Sequence, residues 1–186
     1  GAASNAEIAK AAAKVASQPD QRQQAVNEVM ALITKARENP NDFDLQRQAA
    51  EQFMRIQRPE GALPFLTQAN KLKPEDPDVM ADLASVYYEK RQFADAVSWA
   101  RQAIAKDANH PLGKFYLMSA LIESQQNLNE AEKLLTELEA TTKAKNAPAD
   151  AQNALAQMRE RLQAARQGKT TLQHGTTPAE ATGGKK

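Results

Sequence analysis

Residues 42–72 read DFDLQRQAAEQFMRIQRPEGALPFLTQANKL, and residues 76–106 read DPDVMADLASVYYEKRQFADAVSWARQAIAK. Laid over one another at a step of 34 residues, they carry Asp42, Asp44, Ala50, Ala62, Gln68 and Ala69 onto Asp76, Asp78, Ala84, Ala96, Gln102 and Ala103, the same amino acid each time. Related types coincide as well: Leu45 with Val79, Phe53 with Tyr87, Leu63 with Val97, and Phe65 with Trp99. A step of this length is the period of a two-helix solenoid unit. One such unit cannot bury its apolar face alone, so neighbours stack, and the stack presents a long concave surface suited to holding another molecule.

The unit over 77–106 predicts two short antiparallel helices. Asp76 caps the first, and Pro77 suits its opening position because a proline's missing N–H is not needed there. Met80, Leu83, Ala84, Tyr87 and Tyr88 follow at spacings of three and four, along one helical face. After a turn at Lys90 to Gln92, the spacing resumes with Phe93, Ala96, Val97, Ala100, Ala103 and Ile104, and Trp99 lies beside them. This pattern resembles the tetratricopeptide repeat family. That family sets a bulky residue, a Leu, a small residue and an aromatic on the first helix, and small residues on the second; the matching places hold Met80, Leu83, Ala84, Tyr87, Ala96 and Ala103. The resemblance implies an all-α, right-handed superhelical solenoid of antiparallel helix pairs. Ala50, Ala62, Ala84 and Ala96 let helix axes approach closely, where a larger side chain would overpack the contact.

The preceding unit, 43–72, matches through Ala49, Ala50, Phe53, Ala62 and Ala69, with Pro74 at the family's inter-repeat proline. Pro59 opens its second helix, and Pro64, soon after, predicts a tight or bent start. The following unit, 111–140, matches if one residue is inserted between repeats, which brings Phe115, Met118, Ser119, Ile122, Leu128, Ala131, Leu135 and Leu138 into register. Residues 6–38 read as a degenerate helix pair, with stripes at Ile8, Ala11, Ala12, Val15, Ala16 and at Val26, Val29, Met30, Ile33, Ala36. Residues 148–167 read as a capping helix bearing Leu155, Met158, Leu162 and Ala165 on one face. The expectation is therefore a single domain over 6–167. Residues 1–5 read as disordered or a non-native remnant, and 168–186, rich in Thr, Gly and Lys, as a disordered tail.

Composition narrows the function. With 24 basic and 23 acidic residues, a net charge of +1 and no basic block before Lys185 and Lys186, the electrostatic footprint of nucleic-acid binding is missing. No apolar stretch approaches the length of a membrane span. Without cysteine there is neither a disulfide nor a thiolate metal site. The compartment stays open between the cytoplasm and a cell-envelope domain lacking its export or anchor segment. Catalytic candidates reduce to His110, in the turn between two units, and His174, in the tail; His110 reads as structural or exposed. Glu130 and Glu132 read as solvated helix charges, Trp99 as a packing residue paired by period with Phe65, and Met80 and Met118 as core. The chain is expected to be non-enzymatic, with no cofactor and no metal.

In the family it resembles, the first helix of each pair lines the concave groove. Carried over by register, this nominates Asp44, Arg47, Gln48, Glu51, Met54 and Arg55 in one unit and Asp78, Ala81, Asp82, Ser85, Tyr88 and Glu89 in the next. The third unit supplies Gly113, Tyr116, Leu117, Ala120, Glu123 and Ser124. Members that grip acidic chaperone tails use a clamp of Lys, Arg and Asn; the corresponding places here hold Arg47, Glu51, Asp82, Gly113 and Leu117, and Glu51 and Asp82 would repel such a tail. The expected partner-binding residues are Arg47, Glu51, Met54, Asp78, Asp82, Tyr88, Glu89 and Tyr116. They suit a protein or peptide segment that places a basic or neutral polar residue near Asp78, Asp82 and Glu89, and apolar anchors near Met54, Tyr88 and Tyr116. The adaptor reading competes with two others: a scaffold that self-associates through the stripes at 26–33 and 155–162, and the repeat portion of a larger envelope or multidomain protein.

Overall fold

The computed structural model describes residues 4–15 and 18–168. The expectations for residues 1–3, for Ala16, for His174 and for the rest of 169–186 lie outside these. The described residues form nine α-helices and no strand: α1 (Asn5–Lys14), α2 (Pro19–Glu38), α3 (Phe43–Arg55), α4 (Pro59–Leu72), α5 (Pro77–Glu89), α6 (Phe93–Lys106), α7 (Pro111–Glu123), α8 (Leu128–Ala144) and α9 (Ala149–Arg166). Each helix packs on the next in the chain, and α7 also packs on both α5 and α9, so the first helices of successive pairs form their own layer. The architecture is an all-α helical-repeat solenoid. At the amino-terminal end α1 starts within the stretch read as disorder or remnant: Ser4 and Glu7 form a reciprocal capping box that closes its first turn.

The three caps at the head of α3, α5 and α7 set the repeat. The Asp42 carboxylate accepts from the Leu45 N–H at 3.1 Å, and Asp76 accepts from the N–H groups of Asp78 and Val79 at 2.8 and 3.3 Å. The third cap is His110, whose Nδ1 accepts from the Gly113 N–H at 3.1 Å. These caps fall at 42, 76 and 110, and the helices they open are each 13 residues long. The single inserted residue expected between repeats therefore sits elsewhere. The turns α3–α4 and α5–α6 hold three residues, with Gln57 and Arg91 left-handed; the turn α7–α8 holds four, with Gln125 and Asn127 left-handed.

This changes the register of α7 by one place. Leu83 and Ala84 match Leu117 and Met118, all buried, where the inserted reading set them against Met118 and Ser119. The match of Ala96 to Ala131 in the second helices is unaffected, because the extra residue precedes α8. The cause is local: a hairpin turn tolerates one more residue at the cost of a second left-handed backbone, whereas a slip at the cap would take Gly113 off the His110 acceptor.

Small residues bring the axes together. Ala49, Ala62, Ala69, Ala84, Ala96, Ala100, Ala103 and Ala131 are almost wholly excluded from solvent. Phe53, 1% exposed, stacks on Phe65 with ring centroids 5.8 Å apart and lies directly over Gly61. A methyl group at Gly61 would stand 2.2 Å from a Phe53 ring carbon. Two large apolar clusters result, one spanning α1 to α5 and one spanning α5 to α9, with a small third formed by Met80, Ala81 and Ala103, and Trp99 packs against all three. The buried amide of Gln46 binds the second pair to the first, donating at 2.9 Å to the carbonyls of Ala36 and Asn39 at the end of α2.

Gly61→Ala is expected to lower stability by about 1–3 kcal/mol, because overpacking against a buried ring outweighs the roughly 1 kcal/mol gained in helix propensity. Thermal denaturation followed by circular dichroism checks this. An unchanged or raised midpoint would show that Phe53 has room to yield.

Candidate functional site

The first helices α3 and α5 enclose a cleft of about 540 Å³ lined by Asp44, Arg47, Gln48, Glu51, Met54, Asp82 and Ser85. Four of the eight residues nominated from sequence, Arg47, Glu51, Met54 and Asp82, come together here. They share one wall because Arg47, Glu51 and Met54 follow at spacings of four and three along α3, while Asp82 and Ser85 face them from α5.

At the centre of the cleft, Arg47 is committed to Asp82. Its Nη2 and Nε donate to the same carboxylate oxygen of Asp82 at 2.8 and 3.1 Å, and both side chains are about one-third exposed or less. Burial pushes the Asp82 carboxyl above its ordinary value; the bond and charge from Arg47 oppose this, and the charges of Asp78 and Glu51 add to it. Asp44 and Glu51 are exposed, and neither makes an ion pair among the described residues. The negative charge that the cleft offers a visitor is thus carried by Asp44 and Glu51, with Met54 supplying apolar surface beside them.

The other nominated residues sit in different surroundings. Asp78 accepts from Nε2 of His110 at 2.6 Å, although its own side chain is 57% exposed. Since Nδ1 of His110 accepts from Gly113, the imidazole is the Nε2–H tautomer, and it ties the start of α5 to the start of α7. His110 is 7% exposed; its role is structural. Tyr88 and Tyr116 pack against each other at 5.7 Å between ring centroids, with Phe93 and Phe115 on either side. Both are half-buried. Glu89 is exposed nearby, and its charge is felt by both phenols.

The corrected register explains this aromatic contact: Tyr116 stands in the third repeat where Asp82 stands in the second, so the acidic position of one repeat becomes an aromatic one in the next. At the far side, Arg161 of α9 donates to Glu123 at 2.7 Å, and its charge opposes the upward shift that burial gives the Tyr88 phenol. The reach of α9 into this layer was not visible from periodicity. A signal was present in Arg161 itself, which lies one place before Leu162 on the packing stripe.

Residues 53–121 match the family model of the tetratricopeptide repeat. Over these residues the chain is similar to tetratricopeptide repeats. The match spans the end of α3 through most of α7, where the 34-residue step is cleanest. Among solved structures of the same fold, the first tetratricopeptide repeat domain of human RPAP3 is 19% identical, with 69% of this chain and 98% of that one covered and a TM-score of 0.57. The TPR2AB domain of yeast Sti1, solved as a complex with pHSP90, is 18% identical, with 77% and 55% covered and a TM-score of 0.56. MamA is 12% identical, with 94% and 98% covered and a TM-score of 0.55. At these identities the likeness concerns the fold. No curated protein matches the sequence. Among the described residues of this repeat chain, no helix is long and apolar enough to cross a membrane, and no three His, Asp or Glu gather to hold a metal ion.

Burial raises the Tyr116 phenol from 10.0 to about 12, with the charges of Glu89, Tyr88 and Asp82 adding to the shift. The unfolded chain releases this proton near 10, so between the two values the folded repeats hold more protons than the unfolded chain, and stability falls as pH climbs through that window. Stability measured by urea titration is expected to decline less steeply from pH 10 to 12 in Tyr116→Phe. Equal slopes in the two proteins would assign the loss to other groups.

Proposed function

We propose that this chain is a non-enzymatic protein-interaction module, and that the α3–α5 cleft receives a partner segment carrying a basic or neutral polar side chain. The observation that carries the reading is the pairing of charges in the cleft. Its one cation, Arg47, is bound to Asp82, while Asp44 and Glu51 remain without an ion pair at the lip. An anionic tail would meet two carboxylates and no available cation, and a Lys or Arg would meet the reverse. Met54 supplies an apolar contact beside the charged lip.

The complex of yeast Sti1 with pHSP90 supports the general role, since a protein of this fold is seen there holding a protein ligand. The charge pattern sets this chain apart from a clamp for acidic tails. Asp78, Tyr88, Glu89 and Tyr116 extend the same layer of first helices toward α7. In this reading they border the seat of the ligand: Asp78 is engaged by His110, and the two tyrosines by each other.

Asp44→Lys with Glu51→Lys reverses the charge at the lip and leaves the Arg47–Asp82 pair in place. Captured peptides from a display library are expected to be enriched in Lys and Arg for the natural chain, and to lose that enrichment or turn acidic for the double variant. Identical peptide preferences in the two proteins would remove the cleft as the binding site.

A further inference from the structure

The larger cleft lies on the opposite side of α3, where α2 ends and α4 begins. It encloses about 810 Å³, and its floor is apolar: Phe53, Gly61, Leu63, Pro64 and Phe65. It exists because the first full repeat breaks the pattern of the others. Gly61 stands where Asp95 and Glu130 stand in α6 and α8, and Thr67 stands where Arg101 stands in α6. Between α6 and α8 the outer surface is closed by a two-pronged bond, with Arg101 donating to the Glu130 oxygens at 2.7 and 2.9 Å. The amino-terminal repeat has neither member of that pair. Pro64 adds to the opening, since its ring supplies apolar surface within the helix and it has no N–H for the carbonyl four residues back.

The rim is cationic. Arg37, Lys71 and Lys90 line the cleft, against the one carboxylate of Glu60, which lies 3.8 Å from Arg58. Neither Arg37 nor Lys71 makes an ion pair among the described residues, and Lys90 lies over the Tyr87 ring at 5.8 Å. An apolar floor ringed by uncompensated cations is complementary to apolar side chains flanked by carboxylates.

We infer that the α2–α4 cleft is a second docking surface, on the face away from the α3–α5 cleft, and that it takes an acidic amphipathic protein segment. Its apolar side chains rest on Leu63, Pro64 and Phe65, and its carboxylates reach Arg37, Lys71 and Lys90. The two clefts then select opposite charges, so one chain holds two different partners at once. This surface stands whether or not the α3–α5 cleft binds anything.

The test uses two fluorescein-labelled peptides of equal length with Leu and Phe along one helical face, flanked by Glu in one and by Lys in the other. Fluorescence anisotropy with the full chain carrying Asp44→Ala and Glu51→Ala, which takes away the α3–α5 carboxylates as a seat for the Lys-flanked peptide, is expected to show the Glu-flanked peptide bound at least about tenfold more tightly, with affinity falling as salt is raised. Arg37→Glu with Lys71→Glu and Lys90→Glu is expected to invert the preference, and Leu63→Asp to weaken both peptides. Gln163→Ala, at an exposed position of α9 that lines neither cleft, leaves the Glu-flanked peptide unaffected. Far-UV circular dichroism establishes that each variant is folded; for any that is not, the single substitution Lys71→Glu replaces it and is expected to weaken the Glu-flanked peptide several-fold. Binding of neither peptide, equal affinity for both, an unchanged preference on charge reversal, or loss of binding through Gln163→Ala alone each overturns the inference.

Discussion

Close contact between helices at alanine is the constraint on which the rest of this structure depends. The turns are short, so each helix must lie against its neighbour, and side chains at the crossing must be small enough to let the backbones approach. The alanines at 62, 96 and 131 meet that requirement in α4, α6 and α8, and those at 50 and 84 do so in α3 and α5. Larger apolar groups fill the spaces beside the crossings: Phe53, Leu66, Leu83, Met118 and Leu135 are all nearly solvent-free. The stack therefore gains its stability from contacts between units, and the exposed positions between the packing stripes are left to vary. Most of the α3–α5 cleft and the charged rim of the α2–α4 cleft are made from such positions.

The electrostatics of the α3–α5 cleft follow from that division. Arg47 on one repeat and Asp82 on the next are 35 residues apart, one place beyond the repeat, so their bond joins consecutive units instead of equivalent positions. Such a bond has two effects. It reduces the cost of partly burying both charges, and it removes the cation from use by a ligand. The His110–Asp78 contact acts similarly one unit further along, where the side chain that caps α7 also holds a carboxylate of α5. Groove residues here help hold the repeats together as well as forming the surface they present.

Much of the architecture was legible in the residues. The identity of Asp42 with Asp76 marked the starts of α3 and α5, and Pro59, Pro77 and the alanine spacing marked the helices that follow. The register of α7 was harder to read because Asp is replaced there by His, whose imidazole serves as the cap acceptor, and because the packing alanine becomes Met118. Without those markers the inserted residue could be put on either side of the helix. The side-chain bonds were less legible still, since pairs such as Arg47 with Asp82 and Arg161 with Glu123 depend on how far one helix is offset from another. That offset is set by packing and not by period. The apolar α2–α4 cleft left a trace in Gly61 and Pro64, two departures from a pattern otherwise kept.

Trp99 is the sole tryptophan of the chain, and it touches both apolar clusters as well as the small contact formed by Met80, Ala81 and Ala103. Its indole therefore sits at the seam between the amino-terminal and carboxy-terminal halves of the stack. In a linear array whose cohesion is a sum of nearest-neighbour terms, separation of the halves is a distinct event from the melting of either one. The intrinsic emission of this protein is consequently a gauge of the seam: it registers when the two halves part, even if the helices on each side persist.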